Sequence, residues 1–177
     1  MIKCILSYYA KQLNEFLSRY HHRPEGLAEI GRICKTDNAV PNKMLVSLLN
    51  LERESSGGIS CSVQRTADGG YVRMQPSLQF NLNVMIAAVY DEHQYAESLS
   101  VLSDTLRFIQ SHLSFELEGT TYTVEVINLT SQEMNDMWSL MGGQYYPSVV
   151  VKVRHININT EEIASSNTAI NNPVVEL

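Results

Sequence analysis

Between Gln79 and Tyr90 the chain alternates with a period of two: Phe80, Leu82, Val84, Ile86 and Ala88 share one face, and Asn81 and Asn83 open the other. A run this long and apolar is a strand that a sheet must bury, so the chain is built around a central strand. Lys43 to Glu52 adds a second: Met44, Val46 and Leu48 alternate with Leu45, Ser47 and Leu49, which suits a strand covered on both sides. Helical periods surround these strands. Ile2, Ile5, Leu6, Tyr9, Leu13, Phe16, Leu17 and Tyr20 form one stripe of a first helix, which Pro24 and Gly26 require to stop by His22. Tyr95, Leu99, Leu102, Leu106, Ile109 and Leu113 are spaced 4, 3, 4, 3 and 4 apart. They predict a second helix over about Glu92 to His112 that turns this seam toward the sheet or the first helix.

Shorter elements complete the order. A small strand is expected within Ala28 to Ile33. Ser55 to Gly58 breaks the strand before it, and Ile59, Cys61 and Val63, the turn Asp68-Gly69-Gly70 and Tyr71 to Met74 predict an inserted hairpin over about 55–78. Thr121 to Leu129 is a strand. Thr130 and Glu133 then have the spacing of a capping box, Leu129 and Met134 that of a hydrophobic staple, and Gly142-Gly143 ends a short third helix carrying Met134, Met137, Trp138 and Met141. In the last strand Val149, Val151 and Val153 share a face, but Ile156 and Ile158 have the opposite parity. Either a bulge lies near His155 or the strand leaves the core there. The fold class is α+β: a mixed, mostly antiparallel sheet with two long helices and one short helix packed on it. The expected domain spans 1–158, with an extended C-terminal tail over 159–177 that holds Glu161, Glu162 and the apolar run Pro173-Val174-Val175.

Chemistry is hard to find. His21-His22 are adjacent, about 100° apart on a helix, so they read as a solvated helix end and not as a metal pair. Asp91-Glu92-His93 is a helix-start cluster. Glu116 and Glu118 flank the turn at Gly119 as a solvated hairpin end. No nucleophile elbow, zinc-protease or phosphate-loop pattern occurs. Cys4, Cys34 and Cys61 are too far apart for a C-x-x-C site and are expected to be reduced thiols of a cytosol, with Cys34 a small buried hydrophobe. No catalytic residue, cofactor or metal is expected. The formal net charge is −6, from 13 basic and 19 acidic residues in 177, so no broad basic footprint for nucleic acid exists. Lys11 interrupts the first apolar run, and no signal peptide or membrane-inserting helix is expected.

The segment Ile127 to Val149 carries a distinctive order: a valine-rich strand, Asn128-Leu129-Thr130, a helix with Asn135 and Trp138, Gly142-Gly143, and Tyr145-Tyr146-Pro147-Ser148-Val149. With Asn42, Lys43, Leu45, Leu48, Asn50 and Glu52 in one strand and Pro76, Leu78, Phe80, Asn81 and Leu82 in another, it resembles the N-terminal domain of the tail-terminator or cap proteins of contractile injection systems, the phage-tail-like particles of bacteria. The resemblance covers most of 1–158. It implies a cytoplasmically assembled protein at the end of the tail distal to the baseplate, a six-fold ring, sheath and inner-tube partners and no catalytic residues. Longer relatives carry a further C-terminal region, where this chain has a short tail.

Two surfaces are expected to serve that role. Trp138, Gly142, Gly143, Tyr145, Tyr146 and Pro147 make a stiff aromatic corner suited to a subunit or sheath interface, although internal packing of Trp138 and the tyrosines is the competing reading. Arg154, Ile156 and Ile158 begin an arm, Arg154 to Glu162, that adds a strand to a neighbour. The alternative function is a stand-alone cytoplasmic ligand-binding or adaptor domain of the same shape.

Overall fold

The computed structural model describes residues 1–33, 40–54, 63–65, 71–74, 78–158 and 163–167. Cys34, Cys61, the break Ser55 to Gly58, the turn Asp68-Gly69-Gly70, Glu161, Glu162 and the run Pro173-Val174-Val175 lie outside them. The chain divides into two compact units, Met1–Glu52 with Asn81–Ile156, and Arg53–Phe80 with Asn157–Leu177.

The larger unit is built on a six-stranded sheet. In chain order its elements are α1 (Ile2–His21), β1 (Ala28–Ile30), β2 (Lys43–Arg53), and, after the β3 (Val63–Arg65) and β4 (Tyr71–Met74) strands of the smaller unit, β5 (Leu78–Val89), α2 (Tyr95–Ser111), β6 (Ser114–Leu117), β7 (Thr120–Ile127), α3 (Ser131–Leu140) and β8 (Ser148–Ile158). The strand order is β1-β2-β5-β8-β7-β6. β1 runs parallel to β2, while the β6-β7 and β7-β8 pairs are antiparallel. The sheet is therefore mixed. β5 sits in the middle, and Val84 to Tyr90 are all buried, as a strand covered on both faces requires.

Each face has its own helices. Met85, Ala87 and Val89 of β5 join Leu45, Val150, Trp138 and Tyr146 in one cluster under α3. The opposite face carries Tyr122, whose ring stacks on Phe115 at 5.3 Å; Phe115 in turn meets Tyr8 and Tyr9 of α1 at 5.5 and 5.7 Å. α1 is stopped by His22 in a left-handed cap (φ 52°). Just beyond, the Asn14 Oδ1 oxygen accepts from the Leu27 and Ala28 amides at 2.7 and 3.0 Å, which ties the start of β1 to α1.

The second helix turns a different face inward from the one expected. Its buried residues are Ser98, Val101, Asp104, Thr105, Phe108 and Ile109. The regular seam points outward: Tyr95 is 54% exposed, Leu99 40%, Leu106 45% and Leu113 57%. The helix has two apolar arcs roughly 100° apart that share Ile109. The inner one wins because its polar members are satisfied locally. The Ser98 and Thr105 hydroxyls donate to the Tyr95 and Val101 carbonyls at 2.7 and 2.9 Å. Asp104 meets His21 of α1 at 3.0 Å and Arg107 at 2.7 Å. Small side chains then let Phe108 reach Tyr9 and Phe16 at 5.4 and 5.6 Å. His21 is thus the α1 partner of a buried carboxylate, not a freely solvated helix end. Asp91 does open the helical run as expected: its carboxylate accepts from the His93 amide at 3.0 Å in a 3-10 turn, Glu92–Gln94.

The parity slip in β8 is a bulge. His155 has φ 71°, an uncommon value for a residue with a Cβ. It lets Ile156 be buried as Val151 and Val153 are. The β6-β7 turn places Glu118 and Gly119 at φ 52° and 74°, the two successive positive values of a tight hairpin turn.

In the smaller unit β3 and β4 pair antiparallel, which is the inserted hairpin. A further strand, β9 (Ile163–Asn167), pairs antiparallel with β4. That part of the expected tail is a strand on the chain's own hairpin.

Candidate functional site

Three clefts among the described residues border α3 or the strand ends beside it. The start of α3 follows from two residues. The Glu133 amide donates to the Thr130 hydroxyl at 3.3 Å, and the Thr130 amide and hydroxyl donate to the Glu133 carboxylate at 2.8 Å each, a complete capping box. These donors, the backbone amide first, hold the Glu133 carboxyl below its usual pKa. The helix ends where the Gly142 and Gly143 amides donate back to the Ser139 and Trp138 carbonyls at 3.3 and 2.8 Å. Both glycines have positive φ, 106° and 77°, as a left-handed helix stop needs.

Trp138 is the one α3 side chain that is buried. Its ring meets Tyr145 at 5.6 Å, edge-on, and Tyr146 at 6.0 Å. Pro147 then fixes the corner to the central strand, its carbonyl accepting from the Ala88 amide at 2.8 Å. Trp138, Tyr146 and Pro147 are buried in this chain's own core, and burial raises the Tyr146 phenol pKa. Gly142, Gly143 and Tyr145 are exposed. The structure therefore gathers the six expected corner residues, with half of them facing inward.

The arm residues sit elsewhere, late in β8. Arg154 pairs across the sheet with Thr123, and its guanidinium contacts Glu125 at 2.6 Å. Ile156 is buried and Ile158 is exposed.

Sequence reasoning missed a cleft of about 500 Å³ beside α3. Leu49, Ile127, Leu129, Met137, Leu140 and Met141 supply its apolar wall, with Glu52, Glu133 and Asp136 as its acidic groups and Lys152 as its single cation. Lys152 is already held by Glu52 at 2.7 Å. Glu52 also accepts from the Asn83 amide nitrogen at 2.6 Å. The Lys152 hydrogen bond, then the Asn83 one, set the Glu52 carboxyl below its ordinary pKa. Two smaller clefts, about 350 and 250 Å³, adjoin it and share Leu129. Only the charge bias was readable in the chain: from Ile127 to Val150 the charged residues are Glu133 and Asp136, with no Lys or Arg.

Among the described residues, no three His, Cys, Asp or Glu side chains converge as a metal site would need, and no helix is long and apolar enough to cross a membrane. The strand, capping box, double-glycine stop and tyrosine-proline return form one unit, and the family model of the Pvc16 N-terminal domain matches residues 10–172. The chain belongs to that family. Two solved structures share the fold of this Pvc16 N-terminal domain. One is the anti-feeding prophage cap, described as the AFP tube-terminating cap, with a TM-score of 0.63 and 14% identity over 94% of this chain and 59% of that one. The other is the PVC sheath/tube terminator of an extracellular contractile injection system in its extended state, with a TM-score of 0.60 and 13% identity over 94% of this chain and 62% of that one. The Pvc16 N-terminal domain seen here thus spans about three fifths of either structure's length. No curated protein sequence matches it.

Proposed function

We propose that this chain is a structural cap. It sits at the baseplate-distal end of a contractile injection particle, forms a ring, and ends growth of the inner tube and sheath. The observation that carries this reading is the extent of the likeness: 94% of the chain follows the fold of two proteins described as terminators. Ring order six comes from the family resemblance, as does assembly in the bacterial cytoplasm. No catalytic, cofactor, nucleic-acid or membrane-inserting role is assigned to any residue.

The outward face of α2 supports self-association. Tyr95, Leu99 and Leu106 lie exposed along one side of the helix, with Leu113 exposed just past its end, and exposed apolar side chains gathered on one face suit an interface. A ring closes by heterologous contacts, in which two different patches meet. In the corner, Gly142, Gly143 and Tyr145 remain available for a neighbour, while Trp138, Tyr146 and Pro147 hold their backbone in place. Any donated arm starts beyond Ile156, since Arg154 and Ile156 are used by the chain's own sheet.

The test is co-expression of tube and sheath proteins with and without this chain, with particle lengths read by negative-stain microscopy. A cap narrows the length distribution and closes one end. Identical distributions with and without the chain would refute the reading, and a monomer that binds a small ligand instead would favour the adaptor alternative.

A further inference from the structure

We infer that the cleft beside α3 is a docking groove for a protein segment that presents Lys or Arg next to aliphatic anchors, and that this segment belongs to the polymer the chain caps. The polymer's identity rests on the cap reading; the chemistry of the groove does not.

Two observations select such an occupant. The first is charge. Glu52, Glu133 and Asp136 against Lys152 leave the groove with an excess of two negative charges, and Lys152 is consumed by Glu52 at 2.7 Å. An acidic segment would be repelled, while a basic one gains complementary contacts and a faster encounter. The second is the wall. Met137 and Met141 are flexible, polarizable side chains that repack around varied apolar anchors. Leu140 beside them is 90% exposed, so a partner that covers it gains the burial of a whole leucine side chain.

Trp138 is the one tryptophan of the chain and lines the adjoining cleft with Leu129, which also lines the groove. Its emission therefore reports on occupancy. The probe is a tryptophan-free amphipathic peptide of leucine and lysine, with a leucine-glutamate peptide of the same pattern as control. The lysine peptide should give a saturable change in emission that weakens as salt rises, and the glutamate peptide none. The double variant Glu133→Gln/Asp136→Asn should weaken binding by about tenfold, within the range that two exposed charge pairs supply. Gln at 133 keeps the capping box, so α3 is retained. Leu140→Ser, at an exposed site, should weaken binding with no change in the thermal midpoint. Equal binding of the two peptides, or unchanged affinity in both variants, would overturn the groove.

Pelleting with sheath and tube polymers separates the two levels. If wild type pellets with the polymer and both variants pellet equally well, the groove is not the docking site and the cap reading stands. If wild type ignores the polymer yet binds the lysine peptide as described, the groove stands and the cap reading falls.

Discussion

Trp138 is the buried anchor of α3 on the sheet, with Met134 and Met137 half-buried against the same cluster. Truncation there removes the anchor of the corner and opens a hole among Met85, Val89 and Tyr146. Trp138→Ala should therefore cost about 3–5 kcal/mol, read as a lower urea midpoint by circular dichroism. Glu52 gives a pH prediction. Its carboxyl has a pKa below the ordinary 4.5 in the folded chain, through Lys152 and then Asn83. The stability it contributes is complete above the unfolded-state value and is lost as pH falls through the lower folded-state one. Acidification from pH 6 to pH 3 should lower the urea midpoint of wild type more than that of Glu52→Gln; equal losses would remove Glu52 from the acid response. How far single residues were legible depended on sequence distance. Thr130 and Glu133 announce themselves because a capping box closes within one turn. His21 could not be matched with Asp104, which lies 83 residues away and comes near it through the packing of α1 on α2.

At the scale of elements, strands and helices were legible from their periods, and their inward faces were legible only where one face was plainly polar. β5 left no choice, and the stripe of α1 is buried through Ile5, Leu6, Tyr9, Leu13 and Leu17. α2 offered two apolar arcs, and the regular leucine spacing selected the outer one. The inner arc contains Ser98, Asp104 and Thr105, whose suitability depends on hydrogen bonds that apolar spacing cannot register. The assignment has a direct test. Phe108→Ala should destabilise by about 3–5 kcal/mol, whereas Leu106→Gln should stay within about 0.5 kcal/mol, both from urea unfolding. Equal losses would mean that the leucine seam is buried after all. In β8 the parity slip was visible, but two physical outcomes explained it equally well. The positive φ of His155 selects the bulge, and Ile156 beside it is buried.

For the whole molecule, the order of strand, capped helix and tyrosine-proline return carries the family resemblance, and the Pvc16 N-terminal domain model matches residues 10–172. The groove beside α3 was not legible. Leu49, Asn83, Glu52 and Lys152 come from three strands, and only the sheet order β2-β5-β8 brings them to one wall. A subunit with an outward leucine stripe on α2 and an acidic methionine-lined groove by α3 has surfaces that assembly would cover. The most direct measurement is the position of the chain on intact particles, with a gold-labelled chain imaged by negative stain. The account predicts gold at one end of each tube, opposite the baseplate, and none along its length. Gold scattered along the sheath, clustered at the baseplate, or absent from purified particles would contradict it.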